Sequence, residues 1–577
     1  MTPIVPRSVR LLQRAFPFVA WLLPADRSAL RRDVVAGITV ALVAIPQSLA
    51  YAQLAGVPAY YGLYAAFLPA IVGALWGSSP QLSTGPVAMT SLLTAASLMP
   101  IARIGSDAFV HGAVVLALLS GVFQIAFGAL RLGMLLNLLS HPVLMGFINA
   151  AAIIISLSQL PGLIGVSARQ SEHFLVDTWH VLLNLDLVHE WSLAFGIVAL
   201  VLLVAFRRFA PKLPGVLVTV AVLTLASWWT GYAGKGGRVV GAIPASLPGF
   251  ALPRFDWTTA IELVPPAFVI ALISFMEAMS SSKVAAMKTK QAWNGNQELV
   301  GQGLAKIVGA LNGTFPVSGS FSRSALNLAA GARTGLASII AALLVAVTAL
   351  FLGPLLFHLP KPVLAAIIVL AVYNLLNFGA IRRAWRASRA DAAAAIITFA
   401  TTLLFAPNIQ NGILTGIIVS LALSLYRRMR PRAVEVGLHA DGTLRDAARW
   451  KLAPLAPQVA ALRFDDSLEF VNAAHFEDSV LRLAREHPGA RFILIAAGGI
   501  NEIDASGVEV VANLADHLAE RGVTLVFSGL KQQVQRVFDR TGLTAKLGSS
   551  NLHATDRAAV EALVPRAGAG PTAATVA

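Results

Sequence analysis

Residues 315–335 read FPVSGSFSRSALNLAAGARTG, a polar stretch inside a region made mostly of Leu, Ile, Val and Ala. Alternate positions from Ser318 to Ser324 are serines, and they enclose Arg323. If this region lies in a membrane, irregular backbone there must be buried in protein or line a wet cavity, because unpaired amides are costly in hydrocarbon. The stretch therefore predicts an interrupted helix beside such a cavity.

The composition of the whole chain is that of a membrane protein. Of 577 residues, 56% are hydrophobic and only 13% are charged, and the mean hydropathy is +0.71. This apolar content is greater than a soluble protein needs to form its hydrophobic core. Apolar windows near the length of a membrane span recur from about Val34 to Leu425. They predict a polytopic α-helical protein in the lipid bilayer. The apolar run within residues 1–33 lacks a small-residue cleavage pattern, so we interpret that segment as interfacial and cytoplasmic.

The formal net charge of +15 does not indicate a nucleic-acid partner, because of where the basic residues lie. Arg and Lys cluster in short loops that fall on one side when the spans are counted in order, which predicts that both termini are cytoplasmic. The chain has no cysteine, which excludes disulfides, thiolate metal sites and cysteine nucleophiles. It has no Walker-type phosphate loop and no zinc-binding histidine pattern, so we expect neither an enzyme nor a bound cofactor.

Turns of Pro and Gly and clusters of charge divide the apolar part of the chain into predicted segments. In order they lie near 34–54, 60–77, 84–99, 108–130, 141–161, 190–206, 214–232, 264–282, 298–313, 321–331, 335–357, 362–378, 391–406 and 411–426. The third and tenth are short, and each follows a strand-like polar piece. Each also comes about forty residues after an unusual polar position, Pro46-Gln47 in one half and Glu277 in the other. Interrupted segments at corresponding positions of two halves are typical of transporters that bind substrate at the membrane midplane.

Two helix starts, near Gly85 and near Phe321, are predicted to face each other. Helix starts carry free N–H groups and the positive end of the helix dipole, so two of them aimed at one spot form an anion site. The guanidinium of Arg323 adds a full positive charge. Alternatively, this side chain reaches from a helix end to water.

After Arg432 the composition becomes that of a soluble domain. Short strand patterns alternate with helical periodicity from about Gln458, which predicts a small α/β domain. The predicted domains are a 1–33 N-terminal segment, a 34–430 transmembrane transporter domain, a 431–457 linker, a 458–565 cytoplasmic α/β domain and a 566–577 disordered tail.

Several motifs resemble one known family in their order and spacing. They are IPQSLAYAQLAGVPAYYGLYAAFLP, STGPVAMTS, the long segment from SFMEAMSSS to SFSRSALNLAAGARTG, and the terminal NEIDASGVEVV. From about Arg31 to about Leu563 the chain thus resembles the sulfate-permease (SulP) family, which includes prestin and pendrin. The resemblance implies an inverted repeat of seven plus seven segments, elevator-like transport, a homodimer and a C-terminal STAS domain. It also implies a moving core (segments 1–4 and 8–11) and a gate (segments 5–7 and 12–14).

The resemblance further implies an anion pocket. Its residues would be Gln47 and Tyr51 on the first segment, Val87 at the third, and Phe321, Ser322 and Arg323 at the tenth. These residues also have structural alternatives, because an amide can bridge the kink at a proline, rings and valines can pack, and serines commonly cap helices.

In the STAS domain, the resemblance points to Asp504 and Ser506 as possible regulatory residues. They lie in the loop where relatives carry hydroxyl groups that can be phosphorylated, but Ala505 directly after the aspartate departs from that pattern. The alternative for Ser506 is a cap on a helix that begins near Gly507.

Glu277 lies among apolar neighbours on the eighth segment, where an ionisable group is a functional hypothesis by default. It resembles the acidic position of proton-linked sulfate carriers. We hypothesise that a bound dianion competes for Arg323 and frees Glu277 to take a proton. The alternative is that Glu277 merely neutralises Arg323.

We therefore expect a bacterial inner-membrane secondary transporter of a small oxyanion, with sulfate:proton symport as the first interpretation. In a rival Na⁺-coupled bicarbonate symporter, Glu277 and Ser281 would help to hold Na⁺, since hard cations prefer oxygen ligands. A dicarboxylate:proton symporter and a passive anion channel are the remaining alternatives.

Overall fold

The computed structural model describes residues 16–22, 27–132, 140–166, 174–210, 213–253, 256–373 and 375–568. The predictions for the beginning of the N-terminal segment, residues 1–15, and for most of the tail, residues 569–577, lie outside these ranges. The chain forms two units, Met1–Ser420 and Leu421–Ala577, which we call the helical unit and the α/β unit.

The helical unit consists of helices and two very short strands. Its first half comprises α1 (Val19–Leu22), α2 (Arg27–Leu54), α3 (Tyr61–Ala65), α4 (Leu68–Trp76), β1 (Ser83–Gly85), α5 (Ala88–Leu98), α6 (Asp107–Ala129), α7 (His141–Ser158), α8 (Leu160–Ile164), α9 (Phe174–Leu183), α10 (Glu190–Phe209) and α11 (Gly215–Thr230). Its second half comprises α12 (Trp257–Thr289), α13 (Gly295–Leu311), β2 (Ser318–Ser320), α14 (Phe321–Ala329), α15 (Leu336–Phe351), α16 (Gly353–Leu356), α17 (Lys361–Tyr373), α18 (Phe378–Ala387), α19 (Arg389–Leu404) and α20 (Ile409–Met429), the last of which continues into the α/β unit.

Within the described residues, seven helical stretches are long and apolar enough to cross a membrane, and several shorter apolar helices accompany them. This arrangement confirms the prediction of a polytopic helical membrane protein with two corresponding halves. Helix α9 was not predicted, and α18 is separate from the predicted twelfth segment. The sequence of α18 explains the break, because its arginines, such as Arg382 and Arg386, are unsuited to the interior of a bilayer.

Most of the extensive helix packing in the helical unit falls within two groups of segments, although α17 of the second group also packs against α2 of the first. In the first group, α13 packs against α4 and α6, α12 packs against α6, and α15 packs against α2. In the second group, α7 packs against α19, and α10 packs against α17. The first group contains segments that the resemblance assigns to a moving core, and the second contains segments that it assigns to a gate.

Two buried carboxylates hold the interrupted segments of the core in place. Asp33 on α2 accepts hydrogen bonds from the backbone of Arg333 at 2.7 Å and from the hydroxyl of Thr334 at 2.6 Å, just after α14 ends. Glu298 on α13 accepts from the amides of Ser78 and Ser79 at 2.9 and 2.8 Å, just before β1. Each short segment is therefore anchored at one end to a long helix.

The α/β unit contains a six-stranded sheet covered by helices. Its elements are β3 (Ala433–Leu438), β4 (Leu444–Asp446), α21 (Ala447–Trp450), β5 (Val459–Phe464), α22 (Ala473–Glu486), β6 (Phe492–Ala496), α23 (Ala505–Ala519), β7 (Thr524–Ser528), α24 (Gln532–Thr541), α25 (Leu543–Leu547), β8 (Leu552–His553) and α26 (Asp556–Gly568). The strand order is β4-β3-β5-β6-β7-β8, with parallel pairing from β5 to β8.

The segment 431–457, predicted as a linker, belongs to this sheet. Strand β3 lies within it and pairs antiparallel with β5, and β4 pairs with β3. Strand β3 is only partly buried and carries a charged residue, Glu435, between two valines. The sheet of the α/β unit therefore starts at Ala433 rather than near Gln458.

Candidate functional site

The two interrupted segments meet through their strands. Strands β1 and β2 pair antiparallel, with Ser83 opposite Ser320 and Gly85 opposite Ser318. Helix α14 starts directly after β2, whereas α5 starts at Ala88, slightly later than predicted. The N-terminal ends of two half-helices from opposite halves of the chain are thus brought together.

The two helix starts differ in how they are capped. The hydroxyl of Ser320 accepts a hydrogen bond from the amide of Arg323 at 3.4 Å. The cap position of α5 is Val87, an extended and buried residue whose side chain offers no hydrogen bond. The first-turn amides of α5 therefore have no side-chain cap, as an anion site at a helix start requires.

Arg323 spans the junction between the two halves. Its side chain is only 2% exposed, which excludes the alternative that it reaches out to water. Nη1 donates to the carbonyl oxygen of Pro86 at 2.8 Å, and Nε donates to Oγ of Ser83 at 3.3 Å. Nη2 is buried and has no hydrogen-bond partner among the described residues. One arm of the guanidinium is therefore available to a ligand.

Gly85 forms the wall beside this free arm. Its backbone has φ +154°, a conformation that side-chain-bearing residues rarely adopt. A Cβ atom placed on Gly85 would lie 3.0 Å from Nη2 of Arg323. Glycine at this position thus keeps open the space in front of the guanidinium.

Glu277 does not form an ion pair with Arg323. In the described part of the chain, no carboxylate oxygen lies within the 4.0 Å ion-pair distance of Arg323, whose two partners are a carbonyl and a hydroxyl. The carboxyl of Glu277 lies beside the hydroxyl of Ser318, and its Oε2 is buried without a hydrogen-bond partner among the described residues. An anion would therefore not take Arg323 out of a direct ion pair with Glu277, since Pro86 and Ser83 hold the guanidinium. The alternative that Glu277 neutralises Arg323 through space stays a prediction.

The other predicted pocket residues lie on both sides of this junction. On α2, Gln47 is 8% exposed and its Oε1 has no hydrogen-bond partner among the described residues, and Tyr51 is 5% exposed. Phe321 is 56% exposed, and Ser322 is also exposed. They sit where α14 starts, on the open side of the buried guanidinium.

A cavity of about 350 Å³ lies between α12 and α14. Phe321 and Ser281 line it, together with Lys288 and Ser324. The other predicted pocket residues do not line it. Ser281 is buried one turn after Glu277 on α12, in the position that the sodium alternative assigns to it.

Lys306 on α13 belongs to the same region and was not predicted. It is fully buried, and its Nζ donates to Oγ of Ser274 on α12. Its interior position in the segment QGLAKIVGAL was a signal, because an ionisable residue within a span is a functional hypothesis by default. Its partner Ser274 lies 32 residues earlier in the chain and reaches Lys306 only because α12 and α13 pack together, so the sequence did not indicate this pair.

In the α/β unit, the structure corrects the predicted cap at the start of α23. The helix begins at Ala505, and the cap is Asp504 rather than Ser506. The Asp504 carboxylate accepts from the amides of Gly507 at 2.9 Å and Phe470 at 2.7 Å. Asp504 takes this role because a carboxylate one residue before a helix accepts the orphan amides of the first turn.

Comparison with known proteins agrees with this architecture. The family model described as "Sulfate permease family" matches residues 30–398, and a STAS domain model matches residues 452–559. The chain is 30% identical to "Sulfate transporter 4.1, chloroplastic" of Arabidopsis thaliana, over 94% of this chain and 81% of that protein. It is 32% identical to a "Probable sulfate transporter" of Mycobacterium tuberculosis (strain CDC 1551 / Oshkosh), over 95% of this chain and 97% of that protein.

Two solved structures share the fold. The murine anion transporter Slc26a9 in its inward-facing state superposes with a TM-score of 0.88 at 20% identity, over 97% of this chain and 95% of that one. The transmembrane domain of the cyanobacterial bicarbonate transporter BicA superposes with a TM-score of 0.60 at 25% identity, over 68% of this chain and 98% of that one. The resemblance noted from the sequence motifs is confirmed. The chain belongs to the sulfate permease family, as a multi-pass membrane transporter, not an enzyme, with a C-terminal STAS domain.

Proposed function

We propose that this protein is a secondary active transporter of a small inorganic oxyanion, with sulfate as the first candidate, and that it couples transport to protons through Glu277. The observation that carries the proposal is the buried, unpartnered Nη2 of Arg323 between two half-helix starts. A guanidinium recognises oxyanions through charge-assisted hydrogen bonds. The relatives named as sulfate transporters support sulfate over other anions of this shape.

The pocket is formed by residues of both halves. Arg323 and the first turns of α5 and α14 supply the positive charge and donors, and Gln47 and Tyr51 close the pocket from α2. An arriving oxyanion accepts from the free Nη2 of Arg323, while Nη1 stays bonded to the carbonyl oxygen of Pro86. Val87, Phe321 and Ser322 complete the lining, with Val87 as a dry wall.

Proton coupling follows from the electrostatics of this region. The bound anion and an ionised Glu277 carboxylate repel each other across a site with little water. A bound anion therefore favours protonation of Glu277, and a protonated Glu277 favours binding of the anion. Anion and proton therefore bind cooperatively, and the core carries both together. This coupling does not require direct contact between Glu277 and Arg323.

The remaining features of the proposal concern setting and movement. The core moves against the gate in an elevator-like manner within a homodimer in a bacterial inner membrane, with both termini cytoplasmic. The basic clusters in the short loops support this orientation. Asp504 and Ser506 are assigned a structural role at the start of α23, in keeping with the hydrogen bonds of Asp504.

A Na⁺-coupled bicarbonate symporter is the second candidate. The structural neighbour named as a bicarbonate transporter and the position of Ser281 one turn after Glu277 favour it. A dicarboxylate:proton symporter would differ from both candidates in its substrate. A passive anion channel would differ from them because its flux is not coupled to a proton or sodium gradient.

The test is uptake into proteoliposomes under imposed gradients. Labelled sulfate, bicarbonate and succinate are offered with an inward proton gradient, an inward sodium gradient, or neither. We expect sulfate uptake that rises with the proton gradient in the wild type, and sulfate binding without proton-driven uptake in Glu277→Gln. The control is Glu262→Gln, which changes an exposed carboxylate on the same helix. Sodium-driven uptake of bicarbonate would replace the proposal with the second candidate, and gradient-independent flux would indicate a channel.

A further inference from the structure

Lys306 is a buried lysine to which the proposed transport cycle has so far assigned no role. Its residue is 0% exposed, and no carboxylate oxygen in the described part of the chain lies within ion-pair distance of its Nζ. Removing an ammonium group from water is costly unless other charges compensate for it. A protonated Lys306 therefore needs compensating charge from farther away or from a ligand.

A chain of contacts links Lys306 to the anion pocket. Its Nζ donates to Oγ of Ser274, and the carbonyl oxygen of Ser274 accepts from the hydroxyl of Ser318 at 3.1 Å. Ser318 lies opposite Gly85 in the paired strands, and Gly85 faces the free arm of Arg323. Lys306 thus stands behind the strand that forms the floor of the pocket, without reaching the pocket itself.

The charged side chains around Lys306 do not cancel its charge. Glu277 on α12 is electrostatically coupled to it and is the one nearby carboxyl among the described residues that interacts with it. Glu277 is shared with Arg323, while Glu298 on the same helix as Lys306 is engaged by the amides of Ser78 and Ser79. The side chains that α6 contributes here are neutral, with Gln124 donating to Oγ of Ser274 at 2.8 Å.

The charge balance of the region is positive whenever Lys306 is protonated. Lys306 and Arg323 then contribute two cations against the single carboxyl of Glu277. With Glu277 protonated, a bound dianion brings the region to neutrality, whereas a monoanion leaves one positive charge uncompensated in a medium of low dielectric constant.

We infer that Lys306 is a specificity-determining residue that acts through Ser274 and Ser318 to make the pocket select divalent over monovalent oxyanions. This inference rests on the proposed function, which it deepens by naming the charge of the substrate. Lys306 positions the strand and supplies a long-range field, and it does not touch the anion.

The effect of removing this charge differs between anions. Each negative charge on the ligand loses one interaction with Lys306, so a dianion loses twice as much as a monoanion. As a general scale, one interaction between unit charges about 10 Å apart, at an effective dielectric constant of about 20, corresponds to roughly tenfold in affinity. The preference for dianions over monoanions should therefore fall about tenfold.

The experiment compares Lys306→Met with Lys306→Arg in the full-length protein. Methionine keeps the unbranched shape without the charge, and Ser274 retains its bond from Gln124. Competition of selenate and thiosulfate, as dianions, and of nitrate, as a monoanion, against labelled sulfate uptake gives the ratio of apparent affinities. The matched control is Lys283→Met, which removes an exposed lysine from α12.

We expect the ratio of the apparent affinity for dianions to that for monoanions to fall about tenfold in Lys306→Met. This ratio should recover in Lys306→Arg and stay unchanged in Lys283→Met. A merely structural role for Lys306 predicts weaker binding of all anions by the same factor, and that result would overturn the inference. If Lys306→Met is not recovered folded, thermal shifts of Lys306→Arg and Lys306→Gln with sulfate and nitrate give the same ratio. Wild-type protein that does not take up sulfate would refute the proposed function, whereas wild-type sulfate uptake with an unchanged ratio in the variants would refute only the role of Lys306.

Discussion

Substitution of Gly85 by alanine tests the anion pocket at its narrowest point. The new methyl group would lie 3.0 Å from Nη2 of Arg323 and 3.7 Å from Cα of Ala66. The backbone φ of +154° adds strain of about 1–3 kcal/mol. The guanidinium is the end of a flexible side chain, so it can retreat, and we expect Gly85→Ala to fold with reduced stability.

The cost to anion binding is separate from this strain. A methyl group in front of Nη2 removes one charge-assisted hydrogen bond to the anion, a loss of about 1.5–3 kcal/mol. This corresponds to roughly ten- to a hundredfold weaker binding. Direct binding of labelled sulfate to detergent-purified protein measures the affinity, and thermal unfolding measures the stability.

Gly313 provides the matched control for Gly85. Its φ of +72° imposes a comparable backbone penalty on alanine, but nothing lies within 4 Å of the added Cβ. Gly313→Ala should therefore lose stability and keep its sulfate affinity. Wild-type affinity in Gly85→Ala, or an equal loss of affinity in Gly313→Ala, would refute the pocket geometry.

Two further predictions concern Arg323 and the start of α23. Arg323→Lys keeps the charge but cannot hold Pro86 and Ser83 together, so sulfate affinity should fall roughly tenfold in the same binding assay, while the exposed Arg333→Lys stays near wild type. Asp504→Ala removes two hydrogen bonds accepted from backbone amides and should cost about 1–2 kcal/mol of stability in the α/β unit, measured by hydrogen exchange. Ser506→Ala should change that stability by less than about 0.5 kcal/mol; equal effects of these two changes would contradict the assignment of Asp504 as the cap.

The interrupted segments were predictable because their local chemistry is unusual. A proline followed by Ser, Thr and Gly inside an apolar region is incompatible with a continuous span, and this holds for both β1–α5 and β2–α14. The position of Arg323 beside a helix start follows from the same reasoning. The interrupted segments and the position of Arg323 depend only on residues that are close together along the chain, so the sequence is sufficient to predict them.

The partners of these residues were not predictable, because they come from distant parts of the chain. Arg323 bonds Ser83 across 240 residues, and Lys306 bonds Ser274 on a neighbouring helix. Sequence reasoning paired Arg323 with Glu277 because both are charged, whereas packing brings a carbonyl and a hydroxyl to the guanidinium. Strand β3 does not stand out from a linker in the sequence, because it is short, only partly buried, and paired with β5 more than twenty residues later.

In the proposed site, the anion lies between the starts of α5 and α14, against Nη2 of Arg323. A structure of the protein with bound selenate would locate this anion, because selenium is identified by its anomalous scattering. We predict one selenium position between Val87 and Phe321, with an oxygen within hydrogen-bonding distance of Nη2 of Arg323. Selenium located away from this junction, with Nη2 unoccupied at saturating selenate, would contradict it.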